Sequence, residues 1–386
     1  MTQSIEKGMP LAFKVSEEGT RSSLTRGQDG QSLMKVEARQ LTGHQKEALV
    51  TEGSPGHAWR LTSDEGAALK GSDLAPFPLG FFNAGLQGDL IERIDQVFSA
   101  QRSGPITVET ELVNAYSLTG SFALGTGQGH AEPSTIKIQI ESGAPHADAA
   151  RMVERVLQQS PAMDLLRTPI ENTFALYING RRKTVEGISR SESADAVDPF
   201  LRHRGAPQPL RPEPTDLILK STISEGDYAF PGPVGTPPRI VRTVQGRGHL
   251  QPGREQAALE SWLELPGASH FHFKTSVSAD THAPSGLALI SAGVAFCYMT
   301  QLARYIESMK MAVCGVRLVQ YTPYAIDGGR GRSLPIDTHL FLNGDAPEET
   351  HLQLLRIAAR TCYLHATMAA HLEPQVVVFH NGVKII

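Results

Sequence analysis

Apolar and polar residues alternate in several short runs of the chain, and apolar residues recur at three- and four-residue spacing in others. His57, Trp59 and Leu61 alternate within GHAWRLTSDE, as do Ile136, Ile138 and Ile140 within STIKIQIES. That is the period of a strand with one buried face. Two longer apolar runs, 75–94 and 283–302, each open on Ala-Pro, and proline suits the first turn of a helix. Leu287, Ile290, Val294 and Cys297 fall at steps of three, four and three, on one helix face. Small residues beside them (Ser291, Ala292, Gly293, Ala295) permit close helix–helix approach. Strand regions ITVETELVNAY and MAVCGVRLVQY follow, then polar-start helices PHADAARMVERVLQQ and PEETHLQLLRIAARTC, then terminal strands FALYING and QVVVFHNG. The pattern predicts an α+β protein whose two halves repeat one order of elements.

The repetition extends to the letters. APFPLGFFNAGLQGDLIERI lies on APSGLALISAGVAFCYMTQL without a gap, and the offset of 208 sets Cys297 on Asp89. Upstream, GHAWRLTSDE lies on SHFHFKTSVS. A shared Asn-Gly aligns SPAMDLLRTPIENTFALYINGRRK with CYLHATMAAHLEPQVVVFHNGVKI, and the offset of 202 sets Cys362 on Ser160. We read a tandem duplication. Residues 189–216 carry Pro207, Pro209, Pro212 and Pro214 among mostly polar residues, which favours an extended, semi-rigid linker over any packed element. The expected units are 36–188 and 217–386, after a loose polar arm of about 35 residues.

Composition narrows the classes. With 386 residues, 40% hydrophobic and 20% charged, the chain is globular, and its net charge of −4 gives no electrostatic reason to expect nucleic acid. MTQSIEKGMP lacks the apolar core of a secretory signal. The run Ala283 to Met299 comes closest to a bilayer span but is interrupted by Ser285, Gly286, Ser291 and Gly293. Three cysteines, an odd number, favour free thiols in a reducing compartment. A cytoplasmic protein without membrane contact is expected.

Cys297 admits three readings by position: a buried small hydrophobe, a nucleophile, or half of a redox pair. Cys362 lies near the end of an amphipathic helix; if the two helices cross, the thiols could face each other, and a thiolate attacks a peroxide far better than a thiol does. Cys314, on an expected strand, reads as packing. Histidines offer a competing centre. His270 and His272 share a strand face, His282 precedes the second Ala-Pro, and His365 follows Cys362 by three. His272, His282 and His365 converging on Cys297 would suit zinc or another transition metal, although isolated histidines are the blander reading. GTGQG and DGGRGR lack the strand-then-helix layout of a phosphate cradle and read as hairpin loops; LGFF reads as core lining.

The order Ala-Pro, a small-residue helix with a central Cys, a strand region and an AARTC helix ending in a second Cys resembles the OsmC/Ohr family of thiol-dependent hydroperoxide reductases. The resemblance covers about residues 269–386. It implies a peroxidatic Cys297, a resolving Cys362, no cofactor, and a thiol reductant as partner beside a small-molecule substrate. It also implies a first half with both thiols lost and an intramolecular pseudo-dimer of long central helices on antiparallel sheets. A homodimer is left open. The family's acidic residue after the helix-opening Pro is replaced here by Ser285 and Gly286. The activating Arg does not align, so Arg60, Arg239 and Arg242 are its candidates. That departure keeps a second class open, a hydrolase or lyase of a small carbonyl compound using Cys297 with a histidine or a His-bound metal.

Overall fold

The computed structural model describes residues 4–5, 10–16, 30–53, 56–122, 124–205, 207–210, 216–221, 240–265, 267–278 and 282–386. Arg239 lies outside them. The first half runs β1 (Ala12–Ser16), β2 (Gly30–Gln40), β3 (Lys46–Gly53), β4 (Gly56–Ser63), α1 (Pro78–Ala100), β5 (Thr107–Thr119), β6 (Gln128–Ala131), β7 (Thr135–Glu141), α2 (His146–Gln159), α3 (Pro161–Arg167), β8 (Asn172–Ile178) and β9 (Arg181–Lys183). A short helix, α4 (Phe200–Arg204), follows. The second half runs β10 (Ile218–Ser221), β11 (Ile240–Leu250), β12 (Gln256–Leu263), β13 (His270–Ser276), α5 (Gly286–Ser308), β14 (Val313–Asp327), β15 (Arg330–Ser333), β16 (Ile336–Gly344), α6 (Glu348–Thr361), α7 (Tyr363–Ala369), β17 (Gln375–His380) and β18 (Val383–Lys384).

These strands build two nine-stranded sheets, and the class is α+β. One sheet has the order β1-β4-β3-β2-β14-β16-β8-β9, with β15 on β14; the other has β10-β13-β12-β11-β5-β7-β17-β18, with β6 on β5. Each takes strands from both halves. The seams are antiparallel, β2 on β14 (Lys35 opposite Tyr321) and β11 on β5 (Arg247 opposite Glu111). Parallel pairs β16–β8 and β17–β7 follow further along each sheet. Residues 36–188 and 217–386 therefore share both sheets and one continuous hydrophobic core.

The two long helices fill the space between the sheets. α1 packs on β11 and β12, α5 on β2 and β3, and the helices pack on each other. Backbones meet there: a Cβ on Gly286 would lie 2.3 Å from the Asp89 amide nitrogen and 2.5 Å from the Gly85 oxygen. The length and composition of α5 would suit a membrane span, yet its most apolar window is wholly buried inside the protein. Both helices begin later than the Ala-Pro pairs: Phe77 and Ser285 are the N-caps, and Ser285 Oγ accepts from Ala288 N. The Ser285 amide donates to Glu52 Oε1 (3.1 Å), so a carboxylate does reach this helix start, from β3 of the other half.

Two expectations need correction. Part of the amino-terminal arm is structured, because β1 pairs with β4, setting Phe13 opposite Arg60. Residues 189–204 are also packed. Ser191 N donates to the Phe174 oxygen, and Arg317 grips Asp198 with two hydrogen bonds (2.7 and 2.8 Å). His203 of α4 is fully buried, with Nε2 2.9 Å from the Glu37 oxygen. Residues 125–129 and 327–332 do form the β5–β6 and β14–β15 hairpin ends.

Candidate functional site

Cys297 lies in the fourth turn of α5, and the rows of Leu287, Ile290 and Val294 that bury this face carry it inward. It lines a narrow cleft of about 80 Å³. The walls are largely apolar: Phe77, Pro78 and Leu79 from the start of α1, Leu118 from β5, and Leu263 and Leu265 at the end of β12. Arg242, Arg304, Glu65, Thr300 and Tyr363 supply the polar groups. Cys297 is 3% exposed and Cys362, behind it, is fully buried. Both are free thiols.

Cys362 sits at the junction of α6 and α7, within electrostatic reach of Cys297. Burial pushes its thiol well above the ordinary range, and the neighbouring Cys297 sulfur adds to the rise. The amides of Leu364 and His365 act in the opposite direction without overcoming it. Cys362 is therefore held in its thiol form. Tyr116, whose buried hydroxyl has no hydrogen-bond partner among the described residues, is also held in its protonated form by burial and by both sulfurs. Its ring packs 5.5 Å from that of Tyr363.

At the corresponding place of the other half, Ser160 Oγ donates to Asp89 Oδ2 (2.5 Å) and Arg93 Nε lies 3.3 Å from Asp89 Oδ1. Aligned Asp89 and Ser160 thus touch at the place that corresponds to Cys297 and Cys362. Oxygen and a guanidinium occupy the ground that sulfur takes in the second half, and Asp89 is fully buried.

The structure places the other candidates apart. Arg242 lines the Cys297 cleft. Arg60 does not: it projects from the opposite face of β4 to Trp59 and Leu61 and binds Glu47 through Nε and Nη2 (2.9 and 2.8 Å). Burial would raise the Glu47 carboxyl, but His203, whose Nδ1 lies 3.6 Å away, and the charges of Arg60 and Arg39 hold it well below the usual carboxylate range. Arg60 is committed to that ion pair beneath α4. The histidines do not converge. Phe271 and Phe273 turn inward onto Phe77 and Phe81, so the alternate positions His270 and His272 face outward, where His272 bonds Ser221 Oγ (2.9 Å). His282 is exposed at the approach to α5. His365 is buried between Phe174 and Tyr298, ring centroids 5.5 and 5.1 Å away. Among the described residues no three His, Cys, Asp or Glu side chains are grouped to hold a metal. Cys314 is exposed rather than packed.

His365 gives a pH prediction. Burial lowers its pKa from 6.5 to about 4. As pH falls from 6.5 to 4 the unfolded chain takes up a proton that the folded one refuses, so stability falls across that window. One group accounts for about 3 kcal/mol at most. His365→Phe is expected to flatten this acid slope, read from urea midpoints measured between pH 7 and pH 4.

Sequence reasoning missed Lys46 and Glu65. Lys46, at the start of β3, is 1% exposed; its ammonium donates to the His44 oxygen (2.7 Å) and to Thr300 Oγ1 (2.9 Å). Thr300, one turn beyond Cys297, donates in turn to Glu65 Oε1 (2.6 Å). The available signal is a lysine two residues before the apolar run Ala48-Leu49-Val50 of the same strand.

No protein-family model matches the chain, and no curated protein gives a significant match. Among solved structures, an OsmC-like hydroperoxide resistance protein from Jannaschia sp. CCS1 is similar at 22% identity, covering 33% of this chain and 85% of that one, with a TM-score of 0.21. So slight a superposition leaves the functional reading to the cleft itself.

Proposed function

We propose that the chain is a tandem OsmC-like protein that reduces organic hydroperoxides with Cys297 as the attacking thiol and Cys362 as the resolving one. Its two units are 36–188 and 217–386, joined through 189–216, and only the second carries thiols. The observation that carries this reading is a cysteine lining an apolar cleft with a second, fully buried thiol close enough to feel its charge. An apolar wall suits the organic group of the peroxide, and Arg242 and Arg304 offer donors to its oxygens.

The steps balance. The Cys297 thiolate attacks the terminal oxygen of RO–OH; the O–O bond breaks, an S–O bond forms, and the alkoxide leaves to become ROH. The Cys362 sulfur then attacks the Cys297 sulfenic acid, an S–S bond replaces the S–O bond, and water departs with the Cys362 proton. An external thiol, oxidised to its disulfide, returns both cysteines to thiols. No metal enters these steps.

One equivalent of tert-butyl hydroperoxide is expected to remove two hydrogens from the intact mass and to yield a peptide pair cross-linked through Cys297 and Cys362. Mass spectrometry under non-reducing conditions checks it. Oxidation confined to exposed Cys314 would overturn the reading.

A further inference from the structure

The charged groups beneath Cys297 have no part in the two-thiol scheme, yet they are costly to bury without a task. Around Cys297, lining its cleft or within its electrostatic reach, lie Lys46 (β3), Glu65 (after β4), Tyr116 (β5), Arg242 (β11), Arg304 (α5), and Cys362 and Tyr363 (α6–α7), with Asp64 acting on Lys46. Arg304 is held at the mouth, stacked 4.0 Å over the Phe122 ring and donating to Gln301. Asp64 is spent on the backbone, accepting from the amides of Glu65, Ser72 and Leu74. Arg242 faces the cleft, where the hydroperoxide reading already uses it as a donor, and of the charged groups Lys46 and Glu65 remain, coupled through Thr300, one helical turn from Cys297.

Resting on the hydroperoxide reading of the same cleft, we infer that Glu65 takes the proton of the Cys297 thiol and later delivers it to the leaving alkoxide, while Lys46, tied to it through Thr300, is the positioning residue that balances the thiolate. Before transfer the buried set is ammonium, carboxylate and thiol. After transfer it is ammonium, carboxylic acid and thiolate. The net charge is zero in both states, so ionising a sulfur in an apolar wall adds no uncompensated charge. The same proton completes the reduction: Cys297–S⁻ plus RO–OH gives Cys297–SOH plus RO⁻, and RO⁻ plus the Glu65 acid gives ROH plus the Glu65 carboxylate. Burial raises the Glu65 pKa, which makes the carboxylate a better proton acceptor, although Lys46 and Thr300 oppose the rise. Burial lowers that of Lys46, against the pull of Glu65, Asp64 and Cys297.

Two measurements on the full chain test this. The first is the pH dependence of Cys297 alkylation by iodoacetamide, resolved by peptide mass spectrometry, which needs no peroxide. Lys46→Met is expected to raise its midpoint by about one pH unit or more, the usual effect of losing an adjacent cation. Thr300→Val, which keeps both charges, should give a smaller shift in the same direction, and Glu65→Gln should give no upward shift. The second is the first-turnover rate with two oxidants. Glu65→Gln is expected to slow the reaction with tert-butyl hydroperoxide about 100-fold, and to leave peracetic acid nearly unaffected, because departing acetate needs no proton. A merely structural glutamate would slow both oxidants alike, and that result overturns the inference. So does an alkylation midpoint that neither Lys46→Met nor Thr300→Val moves, each variant first checked as folded by circular dichroism. A wild-type disulfide with unmoved midpoints sinks the relay and spares the hydroperoxide reading; moved midpoints without reaction toward any hydroperoxide do the reverse.

Discussion

Cys297→Ser is expected to abolish hydroperoxide turnover, by at least about three orders of magnitude, with the fold intact. The substitution is nearly isosteric at a site that is 3% exposed, so loss of structure does not compete as an explanation. A serine hydroxyl, unlike a thiol, supplies no appreciable anion at neutral pH. Cys362→Ser separates the two steps. Its first turnover should match the wild type, because the attacking sulfur and the apolar wall are untouched. Catalysis should then stop, and excess peroxide should carry the stranded Cys297 sulfenate to sulfinic acid, a two-oxygen mass increase that thiols do not reverse. Consumption of cumene hydroperoxide coupled to dithiothreitol oxidation measures the first effect; intact mass after the reaction measures the second. Continued turnover by the Cys297→Ser protein would remove this residue from the chemistry.

The largest stability effect is expected where α1 and α5 cross. At Gly286 an added Cβ would lie 2.3 Å from the Asp89 nitrogen, 2.5 Å from the Gly85 oxygen and 2.8 Å from the Gly88 carbonyl carbon. All three are backbone atoms, so relief requires the helices to separate rather than a side chain to turn. Gly286→Ala is expected to cost about 3 kcal/mol, the upper part of the range for an overpacked core. That is a large share of the 5–15 kcal/mol that holds a typical protein folded. Gly205→Ala, where an added Cβ meets nothing within 4 Å, is the control and should stay within about 0.5 kcal/mol. Urea unfolding checks both: the midpoint of Gly286→Ala should drop with its slope unchanged.

The sequence made the elements legible wherever one face decides their burial. Ile136, Ile138 and Ile140 are buried on β7 with more open positions between them, as the alternation requires, whereas β4 is buried on both faces, Ala58, Arg60 and Thr62 as well as Trp59 and Leu61. Cys297 and Cys362 could be paired because the order of elements around them is distinctive. Other parts were hidden for physical reasons. HFHF shows two histidines on one face, but it is Phe271 and Phe273 that take the inside, and weighing hydrophobicity over metal affinity would have turned His272 outward. Lys46 and Glu65 escape a reading of the sequence because their burial is not local: Thr300, which accepts from one and donates to the other, is more than 230 residues away along the chain. Prolines 207 to 214 dominated the view of the connector and obscured Asp198 and His203, whose partners Arg317 and Glu37 lie on strands far away in sequence.

The exchange of strands between halves governs how such a chain can be made. β2 cannot complete its hydrogen bonding until β14 has been synthesised, nor β8 until β16 arrives. A ribosome that has delivered only the first 190 residues therefore carries unpaired strand edges, the surfaces on which nascent chains stick to one another. Closing loops of this span is slow, so production of this protein should depend on holding chaperones more than its final stability would suggest.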